Sequence, residues 1–323
     1  MHARFLATLL LCAVSAMLPV AAYAAYPEKP IRLILPTAAG SSSDTLVRVL
    51  ADALSKELGV PIVVDNRPGA SNVIGTMEIV RAAPDGYTLG YGNIVSLAIN
   101  RSLLTSVPYD VDKDLTLIAN CWHVSNVLVV NNDVPVRSVK ELVDYAKKNP
   151  DKLAMASGGN GTTGHLSGEL FKAMTGISML HVPYRGGAQA VTDVMGGQAQ
   201  VMFDNISLLA PFVKSGRVRA LAVTGSRRSP VFPDLPTIAE AGIAGYETVS
   251  WGGIVGPAGL PKAIVDRLNA DIRKALASPA LRDRFKALDT EPAGGTPQEF
   301  VDLVRRETPK WADVIKRSAA KVD

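Results

Sequence analysis

The chain has 323 residues, of which 47% are hydrophobic and 20% charged, which excludes a disordered polypeptide and gives length for two domains with separate cores. Its 34 basic and 30 acidic residues leave a net charge of +4 with no Lys/Arg-rich run, which argues against nucleic-acid binding.

Residues 1–24 stand apart. His2 and Arg4 precede the apolar run "FLATLLLCAVSAMLPV", and "AYA" at Ala22–Ala24 puts small residues where a signal peptidase reads. The run is short for a membrane span, so we expect a cleaved Sec signal and a periplasmic protein. No Arg-Arg pair precedes it, so folded export with a cytoplasmic cofactor is not expected. Its removal takes Arg4 and Cys12, leaving 33 basic residues, 30 acidic residues and one cysteine, Cys121. No intramolecular disulfide can then form, and Cys121 reads as a small buried apolar residue.

Along the rest of the chain a strand, a small-residue loop and a helix recur. "IRLILP" (31–36) is a strand, followed by "TAAGSSSD" and a helix whose Leu46, Val47, Leu50, Leu54 and Leu58 share a face. Gly59 stops it and "PIVVDN" (61–66) is the next strand. "YTLGYG" (87–92) and "LTLIAN" (115–120) are further strands. The second half repeats the logic: "NVLVVN" (126–131), a helix from Ser138 with Glu141 three residues on, and "KLAMAS" (152–157) running into "SGGNGTTGHLSGELF". Then come strands at "MLHVPY" (179–184), "AQVMFDN" (199–205) and "RVRALAVTG" (217–225), with "GGAQAVTDVMGGQ" helical. "ETVSWGGIVGP" (247–257) reads as an extended return crossing, and 261–323 as helical, with Pro261 at a helix start.

This alternation predicts an α/β protein of two doubly wound sheets joined by two hinge crossings, near 122–125 and 247–251. The expected first lobe is 25–124 plus 250–323, and the second is 125–249. Ligands bind at the carboxyl ends of strands in such sheets, which nominates "TAAGSSSD", "YGNIVS", "SGGNGTTGH", "YRGG" and "FDN".

The third of these stretches contains a literal G-x-G-x-x-G, from Gly159 through Gly161 to Gly164. A dinucleotide site needs an acidic residue about 20 positions on, at the end of the next strand. That strand ends "HVPYRGG", so only an NADP site using Arg185 would fit, and an exported chain argues against a nicotinamide cofactor; none is expected. The sequence holds no G-x-S-x-G, P-loop or H-E-x-x-H motif, and His123, His165 and His181 are not spaced as a metal pair. No catalytic residue and no metal ligand is therefore assigned. An enzyme on this scaffold would have only His165 and Asp204 to work with.

The loops do offer neutral donors. Thr37, Ser41, Ser42 and Ser43 precede one helix, and Ser157, Asn160, Thr162 and Thr163 another. Free N–H groups and the dipole at helix starts favour an anion. Each hydroxyl could equally cap its own helix. Asp44 reads as a cap that orders "GSSS". His165 is expected to bond loop or ligand. Asp204 could receive a ligand ammonium or bond its neighbouring loop.

Taken together, "YPEKPIRLILPTAAGSSSDTLVR", "VDNRPGASNVIG", "AAPDGYTL", "SGGNGTTGHLSGELFKAMTGI", "HVPYRGGAQAVTDVMGGQAQVMFDN" and "SWGGIVGPAG" resemble the Bug/TctC family. These are extracytoplasmic solute-binding receptors of tripartite tricarboxylate transporters. The resemblance implies a two-lobed periplasmic-binding-protein fold of type II character that closes on a small organic carboxylate. A di- or tricarboxylate, an aromatic acid and an acidic amino acid would each suit it. It implies delivery to a membrane permease with one large and one small subunit; the same closed form could also signal to a membrane kinase. A single Cys121 and no obvious apolar surface stripe make a monomer the default expectation.

On the resemblance, ligand contacts fall on Thr37, Ala38, Ala39, Gly40, Ser41, Ser43 and Asp44 in the first loop. In the second they fall on Ser157, Gly159, Asn160, Thr162, Thr163 and His165, with Asn93, Tyr184 and Asp204 completing the set. Many members read "P-F-A-A-G-G" where this chain has "PTAAGS", so Thr37 and Ser41 stand in place of an aromatic residue and a glycine. Asp204 falls at the position associated with amine recognition in amino-acid binders.

Overall fold

In the computed structural model, which describes residues 26–318, the chain begins with β1 (Ile31–Leu35) and α1 (Ser42–Leu58). The expected signal at 1–24 lies outside the described residues. Leu46, Val47, Leu50, Leu54 and Leu58 of α1 are buried at helical spacing, and Gly59 ends the helix at φ 72 with its N–H on the Ser55 carbonyl. β2 (Ile62–Asn66), α2 (Val73–Val80) and β3 (Thr88–Asn93) follow, with β2 and β3 parallel to β1 on its two sides. A π-helical turn at Val95–Ile99 leads toward β4 (Leu115–Val130).

The second unit holds α3 (Val139–Lys148), β5 (Ala154–Ser157), α4 (Thr163–Thr175) and β6 (Leu180–Pro183). It continues through α5 (Gly187–Met195), β7 (Val201–Asn205), α6 (Ile206–Lys214) and β8 (Arg219–Val223). β9 (Val249–Pro257) returns, and α7 (Lys262–Ala277), α8 (Pro279–Ala287), β10 (Thr290–Pro292) and α9 (Pro297–Ser318) complete the fold.

One topology occurs twice. The orders β2-β1-β3-β9-β4 and β6-β5-β7-β4-β8 each place three parallel strands beside an antiparallel crossing strand. In each trio the strand that comes first in the chain, β1 or β5, lies in the middle. This is the doubly wound, two-unit α/β fold expected from the alternation.

The join differs from the expectation. "LTLIAN" and "NVLVVN" form one strand of 16 residues, β4, so the sheets are continuous through it rather than separate. Leu115–Ser125 pair with β9, and Asn126–Val130 with β7. No Gly or Pro interrupts these residues and almost all are buried, as expected of a strand covered on both faces. Register shifts at Leu117/Ala119 and Asn120/Trp122 absorb the twist between the units.

Cys121 is buried in β4 and its thiol is pushed up to about 12 by that burial. Near the C-terminus, α9 buries Phe300, Val304 and Trp311 and packs on α4, β4 and the π-helical turn. Each such side chain contributes about 1.5–3 kcal/mol, so this helix is a substantial strap across both units. No helix among the described residues is long and apolar enough to cross a membrane.

Candidate functional site

A cavity of about 420 Å³ lies between the two parallel-strand trios, at the carboxyl ends of β1, β3, β5, β6 and β7. Its walls are the starts of five helices. Ser42 and Ser43 of α1, Thr163 and Gly164 of α4 and Gly187 of α5 line it, as do Asn72 and Asn205, which precede α2 and α6. The first N–H groups of a helix have no intrahelical acceptor and carry the positive end of its dipole. Five such ends around one cavity make a strongly anion-attracting space. Among the described lining residues Arg185 is the one cation and Asp204 the one carboxyl.

The first loop is braced by charge. Ser41 caps α1, accepting from the Asp44 N–H at 3.2 Å. Asp44 reaches back, its Oδ2 accepting from the Gly40 N–H at 3.0 Å. Its Oδ1 accepts from Arg48 at 3.0 Å and from Asn66 at 2.9 Å. Burial acts to raise the Asp44 carboxyl, but these bonds outweigh it and hold the group below its ordinary value. Ser41 also donates to the Thr37 hydroxyl at 3.2 Å, so the two residues that depart from the family pattern bond each other.

The second loop is braced without charge. Thr162 caps α4 by accepting from the His165 N–H at 3.3 Å, and the Gly161 N–H donates to His165 Nδ1 at 3.1 Å. An acceptor at Nδ1 leaves the proton on Nε2, which lies 3.8 Å from Glu169; that carboxylate is engaged by Lys172 at 2.8 Å. The His165 ring stacks on His181 at 3.9 Å between centroids, and His181 Nε2 meets the Ser157 hydroxyl at 2.7 Å. Ser157 in turn accepts from the Gly159 N–H at 3.2 Å. Burial depresses His165 to about 3, helped by His181 and Lys172, and His181 to about 4, helped by Lys172. Both rings are neutral at pH 7.

The glycine motif now has a structural meaning. Gly161 adopts φ +77, and a Cβ there would meet Leu103 Cδ2 at 2.6 Å. Gly164 lets α4 close on β7, because a Cβ would sit 2.1 Å from the Phe203 carbonyl oxygen. Turn and close packing account for both residues with no nucleotide involved.

Of the residues singled out in the sequence, Thr37, Ala38, Ser41, Ser43, Asn93, Gly159, Asn160, Thr162, Thr163, Tyr184 and Asp204 line the cavity. Ala39, Gly40, Asp44, Ser157 and His165 do not line it; Ala39 and Gly40 are exposed, whereas Asp44, Ser157 and His165 are buried and spend their side chains on loop bonds. Asn93 Oδ1 accepts from the Val95 and Ser96 N–H groups at 3.1 Å, and Tyr184 donates to Asp193 at 2.7 Å. Asp204 accepts from the Asn205 N–H at 2.7 Å; burial still pushes its carboxyl up to about 6.

The sequence reading missed the loop Pro68–Asn72 on the wall, and it nominated the stretches "YRGG" and "FDN" without singling out Arg185 or Asn205 as ligand contacts. "NRPGASN" was legible as a turn after a strand, so the strand-end rule could have nominated it. Asn205 donates to Ser42 at 2.9 Å, and Ser71 donates to the Asn160 carbonyl at 3.2 Å. These bonds close the cavity across its two walls. The Asn205 Oδ1 has no partner among the described residues although it is buried.

Comparison with known proteins agrees with this geometry. Residues 46–319 match the model of the tripartite tricarboxylate transporter family receptor. Protein BugT of Bordetella pertussis is 37% identical over 298 residues, covering 92% of this chain and 91% of BugT. The structure of R. palustris Rpa4515 with adipate superposes with a TM-score of 0.89 at 36% identity, covering 92% of this chain and 100% of that one. MatC from Rhodopseudomonas palustris with bound malate gives 0.85 at 30% identity, over 90% and 100%. The chain therefore belongs to the Bug/TctC family of tripartite tricarboxylate transporter receptors, which are periplasmic solute-binding proteins and not enzymes.

Proposed function

We propose that this chain is exported and closes on a small dicarboxylate, which it hands to a membrane permease of one large and one small subunit. The observation that carries the ligand class is the convergence of five helix starts on one cavity that holds a single cation. Neutral N–H groups bind a carboxylate without a buried ion pair, and so release it without breaking one. Thr37, Ala38, Ser41 and Ser43 on one side and Gly159, Asn160, Thr162 and Thr163 on the other form the two cradles. Arg185 is available to a second carboxylate. Relatives crystallised with adipate and malate support acids of this size.

Asp204 and the unpartnered Asn205 Oδ1 add acceptors on one wall, which suits a ligand that also carries a hydroxyl or ammonium. Two lobes, 25–124 with 250–323 and 125–249, would close by bending β4 and β9, presenting a new surface to the permease.

The test is thermal melting of residues 25–323, unfolded and refolded to strip carried ligand, against mono-, di- and tricarboxylates and acidic amino acids. A ligand at 100 times its Kd adds about 2.7 kcal/mol to the folded state. A shift with short dicarboxylates is expected. Silence across every acid, or a shift with NADP alone, would overturn the reading.

A further inference from the structure

A second cavity, of about 480 Å³, lies behind the crossing strands. Val249 lines it whereas Ser250 lines the first, and successive residues of a strand face opposite ways. Two segments meet there beside the middle of β4. The loop Gly225–Pro230 follows β8, which pairs with Val127–Val130. α8 and β10 form the other wall, and β10 pairs with Trp122–Val124. A polar link joins the walls, where Arg227 pairs with Glu291 at 3.2 Å, and the Asp289 carboxyl, raised by burial, is partly held down by its neighbours Ser229 and Val231.

The charge of this cavity differs from that of the first. Arg227, Arg228, Arg282 and Lys286 line it against Asp289 and Glu291. Arg227 is neutralised by Glu291, and Arg228 by Glu240 at 2.8 Å. Arg282 and Lys286, four residues apart on one face of α8, have no ion pair among the described residues. Asp289 has no ion pair among the described residues, and burial raises its carboxyl toward the neutral form. Two cations thus stand against one partly buried carboxyl, which leaves a net positive charge in a concave, partly walled space, where its field is focused.

We propose that this second cavity is an anion site, taking a small molecule with two or more negative charges on Arg282 and Lys286. Its occupant would also brace Gly225–Pro230 against Asp289–Pro292 behind the crossing strands. Polycarboxylates and phosphate-bearing molecules share the required chemistry, and the two are separated by using pyrophosphate and citrate as alternative probes.

The experiment is calorimetric titration of pyrophosphate, then of citrate, into the wild type and Arg282→Gln/Lys286→Gln, with hydrogen exchange on the same samples. Both side chains are solvent-exposed, so the variant is expected to melt with the wild type when no anion is present. The proposal predicts at least tenfold weaker binding of one or both probes to the variant. In the wild type it predicts slowed exchange in 225–231 and 289–292. Equal affinity in variant and wild type would overturn it. So would protection confined to 37–43 and 158–164, which would put the anion in the first cavity.

Discussion

The loops after β1 and after β5 solve one problem in two ways. Each ends in a hydroxyl cap, Ser41 or Thr162, and in each the residue three positions on returns to the N–H before the cap. In the first loop that residue is Asp44, whose charge is met by Arg48 and Asn66. In the second it is His165, kept neutral by burial beside His181. A reciprocal capping arrangement therefore does not require a carboxylate. It requires an acceptor, and where the acceptor is ionised the fold must supply compensating charge so that the helix start stays attractive to an anion.

The largest expected difference between the loops lies two residues past the cap, where the first loop has Ser43 and the second Gly164. Gly164→Val puts side-chain atoms into the Phe203 carbonyl and is expected to cost about 3 kcal/mol or more. Ser43→Ala should leave the unfolding free energy within about 0.5 kcal/mol of wild type. Comparable losses in the two variants would break the comparison.

Next is the charged brace. Asp44→Ala leaves Arg48, Asn66 and the Gly40 N–H without their acceptor, an expected loss of about 2 kcal/mol in denaturant unfolding. Asp44→Asn should recover part of it, because an amide oxygen can still accept from Gly40.

The neutral brace is exposed by pH. Unfolded histidines protonate near 6.5, whereas His165 and His181 stay neutral in the fold down to about 3 and 4. The unfolded state thus gains protons first, and stability falls as pH drops from 6.5 toward 4. By pH 5 this amounts to roughly 2 kcal/mol for each ring and about 4 kcal/mol for the pair. Asp204 has the opposite sign: its folded carboxyl protonates near 6 and its unfolded one near 3.8, so it adds stability as pH falls through that window. Melting against pH should therefore be flatter in His165→Asn and steeper in Asp204→Asn. The same slope in all three proteins would contradict the account.

The smallest effect concerns the departure from the family pattern. Thr37→Val removes the acceptor of one exchangeable hydroxyl bond from Ser41 and should cost about 0.5–1 kcal/mol. In Ser41→Gly background the same change should cost less, as a double-mutant cycle would measure.

Much of this was legible in the residues. The apolar spacing of Leu46 to Leu58 and the Gly59 stop define α1, and the strand-end rule finds most of the cavity wall. Other parts were hidden by local signals. Pro211 inside α6 reads as a breaker, and α8 follows α7 with only Ser278 between them, so one helix masks another. The strand β4 looked like two because a joint was expected where the partners change, at the polar residues Ser125 and Asn126, and an extended chain without Gly or Pro passes through such an exchange unbroken. Asp44 reads as a cap and His165 as bonding loop or ligand, and both are nominated for ligand contact because the family resemblance puts the ligand on their loops. Which way such a side chain turns, outward to a ligand or back to its own loop, depends on backbone geometry that spacing does not contain.

The central claim is that helix-start N–H groups from both loops hold the ligand carboxylates together. Amide NMR of the refolded protein, titrated with adipate, addresses it directly. The account predicts that the N–H resonances of Ser42, Ser43, Thr163 and Gly164 move downfield together with one common affinity. If adipate binds while these four resonances stay in place, the carboxylates are held elsewhere and the account is wrong.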